Sequence, residues 1–325
     1  MTIKDMTVGN PANLILRFAL PLYIGNLFQQ FYNLVDTLIV GRTLGVTALA
    51  AVGATGSIAF LVLGFILGLT AGFSVITAQR FGAKDFKGVK KSFASIVILG
   101  VVFSILLTLI STTTAMPLLK IMQTPQNIIV DSYSYIFIMY SGISTLVFYN
   151  ALANVIRALG DSKTPLYFLI IASILNIILD LIFIIKFNMG VAGAGWATVI
   201  SQGVSAIFCL MFMLLKFPIL RLTKQDWKID LKFLWEHIRV GFPMGFQMSV
   251  MVLGIIALQV VLNSFGSDTI AAFTAGTKIE QVTGQSFLAL GVAMATYTAQ
   301  NFGAGKINRI KIGVVKCLKM ISVLT

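Results

Sequence analysis

The sequence has 325 residues, of which 58% are hydrophobic and 11% are charged. Because soluble domains carry about 25% charged residues, this composition excludes a soluble globular protein. The formal net charge of +13 does not indicate a nucleic-acid partner, because the cations lie in short loops between apolar stretches. The two cysteines, Cys209 and Cys317, lie in or beside apolar runs and predict neither a metal site nor a disulfide.

Apolar stretches long enough to cross a bilayer, roughly 20 residues each, follow one another along the chain. We predict membrane spans at about 14–41, 48–78, 92–117, 129–155, 165–186, 191–216, 238–264 and 270–299. A ninth stretch begins near 312 and stops at Thr325, too short to cross. Residues 1–12 do not have the pattern of a cleavable signal peptide, so the spans themselves are expected to direct the chain to the membrane.

The longest polar stretch, 216–236, separates the sixth span from the seventh. We therefore predict an amino-terminal six-helix bundle at 1–222, a cytoplasmic linker at 223–236 and a partial carboxy-terminal bundle at 237–325. The second bundle would hold two complete spans and the start of a third, which indicates a partial sequence. We expect residues 1–325 alone to catalyse no gradient-driven transport.

A repeat relates the two bundles. Residues 77–83 read TAQRFGA and residues 298–304 read TAQNFGA, 221 positions later, and the same offset places Gly45 on Gly266. Internal repeats of this length in an apolar chain are typical of transporters with a site between or within similar bundles. Because each bundle has an even number of spans, we expect an all-α polytopic membrane protein of two six-helix bundles, related by a pseudo-two-fold axis along the membrane normal.

The loops also predict the orientation. If the amino terminus is cytoplasmic, the far side carries only Arg42, Lys120 and Lys186, and Lys278 falls within a span. The other twenty of the 24 cations lie at the amino terminus or at the cytoplasmic loops and their flanks. This asymmetry follows the positive-inside rule, so we predict a multi-pass protein of the inner (plasma) membrane with a cytoplasmic amino terminus.

Three carboxylates fall inside predicted spans and away from their edges: Asp36, Asp180 and Glu280. An intramembrane carboxylate is costly, about 2.5–3.5 kcal/mol on insertion scales, and therefore indicates a functional site. Asp36 and Asp180 each precede the outer end of their span by six residues, which places both roughly 9 Å below the outer edge. At matching depth in one bundle, the two carboxylates could share a small cation or a proton.

Two further polar residues are expected at this depth. Asn176 precedes Asp180 by four positions and so shares its helix face, and Thr198 on the sixth span can reach a similar level. Carboxylate, amide and hydroxyl oxygens suit a hard cation such as Na⁺, and the carboxylates equally suit protonation. The alternative is that Asp36 and Asp180 only satisfy polar backbone or pair with each other to hold helices together.

Several longer segments make the resemblance to a known family specific. They are FALPLYIGNLFQQFYNLVDTLIVGRTLG at 18–45, ITAQRFGAKD at 76–85, RALGDSKTP at 157–165, NIILDLIFI at 176–184, VAGAGWATVISQ at 191–202 and the second TAQNFGA segment. With them the chain resembles the multidrug and toxic compound extrusion (MATE) family, in the prokaryotic branch related to the DNA-damage-inducible transporter. The resemblance runs the whole length, although the family has twelve spans.

The resemblance implies a cation-coupling site at Asp36, Asn176, Asp180 and Thr198. Tyr135 and Asn150 on the fourth span are weaker candidates for the same cavity, by their spacing from Asn176. Another branch of the family uses carboxylates of the second bundle, so Glu280 could bind a cationic substrate, although it could equally be a polar residue lining the cleft.

The expected function is secondary active efflux of amphipathic or cationic xenobiotics in exchange for inward Na⁺ or H⁺. We expect a monomer in the lipid bilayer with small-molecule substrates, a coupling ion and no other cofactor. A nucleophile with a base, a phosphate loop and a metal-ligand cluster are not evident in the sequence, so an enzyme is not expected.

One alternative function is that of a lipid-linked saccharide flippase of the wider superfamily. Only Lys278 favours this alternative. Another is a channel or a membrane scaffold, which would not need two buried carboxylates at one depth.

Two minor features carry structural predictions. Gly64, Gly68 and Gly72 form a small-residue face on the second span, which usually means close helix packing. His237, at the start of the seventh span beside Glu236, is expected to be an interfacial polar residue.

Overall fold

The fold is described from a computed structural model, which covers residues 5–263 and 267–324. Ten α-helices follow one another within these residues. They are α1 (Pro11–Leu44), α2 (Val46–Gly82), α3 (Phe86–Ile121), α4 (Ile129–Ser141), α5 (Ile143–Ala158), α6 (Lys163–Asp180), α7 (Val191–Lys216), α8 (Leu231–Asn263), α9 (Ser267–Gly303) and α10 (Ile307–Leu324). The predicted all-α membrane fold is confirmed, and a helix lies at each predicted span.

Five of the described helices are long and apolar enough to cross a membrane. They are α2, α3, α6 with its continuation to Lys186, α7, and 231–255 of α8; a bent α4–α5 pair makes a sixth. The helix α1 is 34 residues long but is not among them. Its polar residues, which include Tyr32, Asn33 and Asp36, lower its hydropathy. A criterion based on length and hydropathy therefore does not count α1 as a span, although it belongs to the bundle.

The fourth predicted span, 129–155, is two helices rather than one. The helices α4 and α5 are bent by 46° to each other, with Gly142 between them. A β-carbon on Gly142 would overlap the side chain of Val199 on α7. The bend therefore lies where a glycine lets α7 approach the backbone, a tertiary contact that hydrophobic periodicity does not report.

The fifth predicted span changes its helical pitch beside a candidate site residue. After Asp180, the last residue of α6, the chain forms a π-helical turn over Leu181–Lys186. The N–H of Phe187 donates to the carbonyl of Ile182 at 3.0 Å, a spacing of five residues. Such π turns within α-helices are frequent at functional sites.

The helix α8 begins at Leu231, inside the segment 223–236 predicted as the linker. Asp230 ends the non-helical segment, and its Oδ1 accepts from the N–H of Phe233 at 3.1 Å, as a helix-capping carboxylate does. A hydrogen bond from Lys91 of α3 to this carboxylate is the main cause that holds the pKa of Asp230 below its usual range.

The apolar core of the first six spans lies between α2, α3, α5 and α7. Its buried residues include Phe73 of α2, Phe93 of α3, Val155 of α5 and Met213 of α7. A single cluster that joins four helices fixes their mutual positions, because removing one large buried side chain would leave a cavity costing about 2–5 kcal/mol. The first bundle is therefore a firm frame for side chains that line its interior.

The helices α2 and α8 pack backbone to backbone. A β-carbon on Gly68 would overlap Met244 and one on Gly72 would overlap Gly241. The close packing predicted for the glycine face of the second span is therefore confirmed. His237, expected at an interface with water, is instead fully buried near this contact because α8 begins earlier and lies against α2 and α3.

At one end of the molecule, α2, α5 and α9 end and α3, α6 and α10 begin. We refer to this end as the basic end. The loops here are short, at 83–85, 159–162 and 304–306, and the linker lies at the same end. Ser249 of α8 donates to the carbonyl of Leu61 of α2 at 3.4 Å. Among the described hydrogen bonds between these two helices, this one lies farthest from the basic end. Farther away, Gly53 and Gly254 have open space beside them. The described close contacts of α2 with α8 and α9, at Gly68, Gly72 and Gly82, thus lie toward the basic end.

Candidate functional site

The helix α1 contributes a carboxylate and a phenol to the interior of the first bundle. Asp36 and Tyr32 are four residues apart, so both lie on one face of α1. Both side chains are half-buried, and the Oδ1 atom of Asp36 is fully buried. The helix α1 thus places a partly exposed carboxylate within an otherwise mostly apolar segment.

The helix α6 contributes the second carboxylate. Asp180 and Asn176, four residues apart on this helix, are both fully buried. The amide nitrogen of Asn176 donates to Oδ2 of Asp180 at 2.9 Å when its amide is placed in the orientation that satisfies both ends. Asn176 therefore holds Asp180 in place rather than offering it an oxygen.

The helix α7 completes the network through Thr198. In the same orientation, the amide oxygen of Asn176 accepts from the N–H of Thr198 at 3.1 Å and lies 3.3 Å from its Oγ1. The Thr198 hydroxyl also donates to the carbonyl of Ala194 at 3.1 Å, and Tyr32 of α1 lies close to it. Hydrogen bonds from Thr198 through Asn176 to Asp180 therefore join α7 to α6, with Tyr32 of α1 beside them.

The two carboxyl groups adjoin each other at the centre of this network. Asp36 and Asp180 lie within hydrogen-bonding range of each other, yet Oδ1 of each is buried without a hydrogen-bond partner among the described residues. Neither carboxylate forms an ion pair with a Lys or Arg in the described part of the chain. Two adjoining carboxylates without a compensating positive charge are unfavourable in a low-dielectric interior, so the pair requires a proton or a cation.

Tyr135 of α4 is the fifth predicted residue that the structure places here. It lies close to Asp36, Tyr32 and Asp180 and packs against the cluster formed by Val40 and Ala194. Tyr32 itself was not among the sequence candidates. Its position one turn before Asp36, on the polar side of α1, is the signal that could have identified it.

Two weaker candidates lie apart from this group. Asn150 of α5 is 9% exposed, and its amide nitrogen donates to the carbonyl of Leu146 of its own helix at 2.9 Å. Glu280 of α9 has an exposed side chain. The side chain of Lys278 lies outside the described residues. The structure therefore brings together Asp36, Asn176, Asp180, Thr198 and Tyr135, and adds Tyr32.

Comparison with known proteins assigns the chain to a family. The MatE family model matches residues 21–182 and 243–325. The chain therefore belongs to the MatE family, a family of transporters and not of enzymes, and it is a multi-pass membrane protein.

Among its relatives, the probable multidrug resistance protein YpnP of Bacillus subtilis is 33% identical over 318 residues, which cover 95% of this chain and 69% of that protein. A FAD transporter of Shewanella oneidensis is 25% identical over 317 residues, with the same coverage of 95% and 69%. The chain thus spans about two thirds of the length of the curated relatives it matches.

A solved structure has the same fold. It shows the outward-facing conformation of a multidrug resistance MATE family transporter of the MOP superfamily, and the likeness has a TM-score of 0.91 at 25% identity. It covers 100% of this chain and 72% of that one.

Proposed function

We propose that the protein exports amphipathic or cationic small molecules by antiport against Na⁺ or H⁺. The observation that carries this proposal is the adjoining pair of carboxyl groups of Asp36 and Asp180, each with a buried oxygen that lacks a described partner. A pair of this kind binds one monovalent cation or one proton and changes its charge when it does so.

The residues around the pair fit either ion. The oxygens of Asp36 and Asp180 are hard donors that suit Na⁺, and their approach to within hydrogen-bonding range also suits a shared proton. Asn176 and Thr198 hold Asp180, and Tyr32 of α1 lies close to Thr198. In this proposal the two carboxylates bind the ion and the other residues position them.

Coupling follows from where the pair lies. Asp36 is on α1 and Asp180 on α6, so an ion between them draws α1 toward α6 and removes the charge that attracts a cationic substrate. The movement narrows the cavity of the first bundle and releases the substrate outward. A ligand shifts such an equilibrium only by its different affinities for the two states, so the pair must bind its ion more tightly in the narrowed state.

The remaining assignments form part of the same proposal. Residues 1–222 and 237–325 belong to two bundles that rock about the cleft, joined by the linker at 223–236, in a monomer whose basic end is cytoplasmic. In this proposal the cleft opens to the outside at the end opposite the basic end. A relative of the chain is named a probable multidrug resistance protein. The two carboxylates are consistent with a cationic substrate.

The experiment that tests the proposal compares efflux of a cationic dye from cells that produce the protein from its own gene, with wild-type or Asp36→Asn sequence. We expect the variant to reach normal amounts in the membrane and to lose efflux. Asp131→Asn is the matched control, because Asp131 is an exposed carboxylate at the start of α4. Wild-type efflux by Asp36→Asn would contradict the proposed site.

A further inference from the structure

The repeated motif of 77–83 and 298–304 has no part in the carboxylate cluster. Its two copies form the last turns of α2 and α9, which meet at the basic end. Each copy begins at the same distance from the end of its helix, and the two copies differ only at Arg80 and Asn301. A motif kept in both halves, away from the ion site, requires a separate physical reason.

The first reason is a reciprocal contact between glycine and backbone. A β-carbon on Gly82 would overlap the carbonyl of Gln300, and a β-carbon on Gly303 would overlap the carbonyl of Gln79. Gly82 and Gly303 are repeat equivalents, and so are Gln79 and Gln300, each pair being 221 positions apart. Each contact is therefore the image of the other, and only glycine permits so close an approach.

Small residues of the same motif close the space beside this contact. Ala78 and Ala299, again repeat equivalents, form a buried cluster with Ala158 at the end of α5, and their exposed fractions are 2%, 4% and 2%. The side-chain amide of Gln300 donates to the carbonyl of Ala158 at 2.8 Å. Water is thus excluded where α2, α5 and α9 meet.

The position at which the two copies of the motif differ contacts the segment that leads into the other bundle. In the second copy, the side chain of Asn301 donates to the carbonyl of Met6 at 3.2 Å, while Gln300 accepts from the N–H of Met6 at 2.9 Å. Lys306 adds a hydrogen bond to the carbonyl of Thr7 at 2.9 Å. The segment before α1 is thereby tied to α9 and α10.

The first copy makes a corresponding contact with the start of α8. Arg80, the equivalent of Asn301, pairs with Glu236 at 3.2 Å, and Lys91 of α3 pairs with Asp230. Both cations also lie over the ring of Phe233, at 5.2 Å and 4.9 Å from its centroid. The start of α8 is thereby tied to α2 and α3.

A buried polar chain reinforces this second tie. The Thr77 hydroxyl, in the first position of the motif, lies 2.8 Å from that of Ser92 on α3. The Ser92 hydroxyl in turn lies 2.8 Å from Nε2 of His237, whose Nδ1 lies 2.8 Å from the carbonyl of Phe233. In the tautomer that satisfies both ring nitrogens, Nδ1 donates to that carbonyl and Nε2 accepts from Ser92.

We propose that the two copies of the motif form a single reciprocal gate that seals the basic end of the cleft. The glycine contacts set how closely α2 and α9 approach, and the residue at 80 and 301 holds the segment that leads into the other bundle. The inference rests on the proposed transport function, in which this end must open once per cycle. Exposed ion pairs are individually weak, about 0–1 kcal/mol, so the ties can separate and form again.

The test measures whether the seal is open. The reporter is Ala158→Cys in a background in which Cys209 and Cys317 are replaced by alanine, and the readout is the rate of maleimide labelling in inside-out vesicles. Gly82→Ala and Gly303→Ala should each raise this rate at least about tenfold, because a tenfold change in accessibility needs only about 1.4 kcal/mol. Gly53→Ala and Gly291→Ala, on the same two helices beside open space, should leave it unchanged.

A charge exchange provides a second test without altering the glycine contact. Lys91→Glu should raise the labelling rate several-fold, and adding Asp230→Lys to it should restore slow labelling, which also shows that the variants fold. An unchanged rate in both glycine variants, an equal rise in the controls, or the absence of rescue by the charge exchange would each overturn the gate.

The labelling assay separates the gate from the proposed function, since it requires neither transport nor a bound ion. Gly82→Ala should accelerate labelling by the same factor whether or not Asp36→Asn is also present. If the acceleration disappears in the Asp36→Asn background, the gate is not independent of the ion site and the proposal is overturned. If the glycine variants open the seal while the wild-type protein exports no dye, the gate stands and the transport proposal fails. Dye export together with unchanged labelling would support transport and overturn the gate.

Discussion

Asp36→Asn removes one of two adjoining carboxylates while keeping the size of the side chain. A cation bound between Asp36 and Asp180 lies close to both, and the attraction of unit charges 4 Å apart is about 4 kcal/mol at an effective dielectric constant of 20. Asp36 is half-buried, so water screens part of this attraction, and we take about 2–4 kcal/mol as the loss. Cation binding should then weaken about 30- to 1,000-fold.

The assay needs no transport, because the four site residues all lie in α1, α6 and α7. Calorimetric titration with NaCl, and proton uptake on acidification in weakly buffered detergent, together measure binding of either ion to the purified chain of residues 1–325. We expect wild-type protein and Asp131→Asn to bind one of these ions equally and Asp36→Asn to bind it about 30- to 1,000-fold more weakly. Equal heats and equal proton uptake by all three proteins would refute the reasoning.

The remaining predictions concern the neighbours of this pair and the basic end. Asp180→Asn should abolish dye efflux nearly as completely as Asp36→Asn, measured in the same cells, and wild-type efflux would remove Asp180 from the site. Asn176→Ala and Thr198→Ala should raise the ion concentration for half-maximal efflux, and an unchanged ion dependence would make them packing residues. Tyr32→Phe should shift that concentration in the same direction by less, because it removes only a hydroxyl that lies close to Thr198 and Asp36; no shift would leave the phenol without a role. The ion pair between Lys91 and Asp230 should persist at neutral pH, because the pKa of Asp230 is lowered in the folded protein. Its contribution to stability is therefore fully present above the ordinary carboxyl pKa of about 3.9. This contribution is lost as the pH falls through the lower pKa of the folded state. The melting temperature of Asp230→Asn should therefore differ from wild type at pH 7 and converge with it in strong acid, and a constant difference would contradict the tie.

Local sequence determined most of the helices and much of the site. The seventh helix has the predicted bounds, 191–216, because a glycine and a polar segment bound a continuous apolar run. The approach of Asp36, Asn176, Asp180 and Thr198 was predicted from depth and helix face, since a carboxylate in an apolar span has few places that satisfy it.

The differences arise where tertiary contacts decide the structure. The bend at Gly142 depends on Val199 of another helix, and the burial of His237 depends on α2 and α3. Tyr32 joins the site through Thr198, more than 160 positions away in the sequence. Hydrophobic periodicity describes how one helix faces its surroundings and contains no information on which distant helix it meets.

The central claim is that ion binding at the carboxylate pair drives export, and everted vesicles test it most directly. Vesicles carrying the protein produced from its own gene receive a cationic dye and then either a Na⁺ gradient or a pH gradient alone. We expect one of the two gradients to drive dye accumulation in wild-type vesicles and in Asp131→Asn vesicles, and neither gradient to do so with Asp36→Asn. Accumulation by Asp36→Asn at the wild-type rate, or accumulation by wild type under neither gradient, would contradict the account.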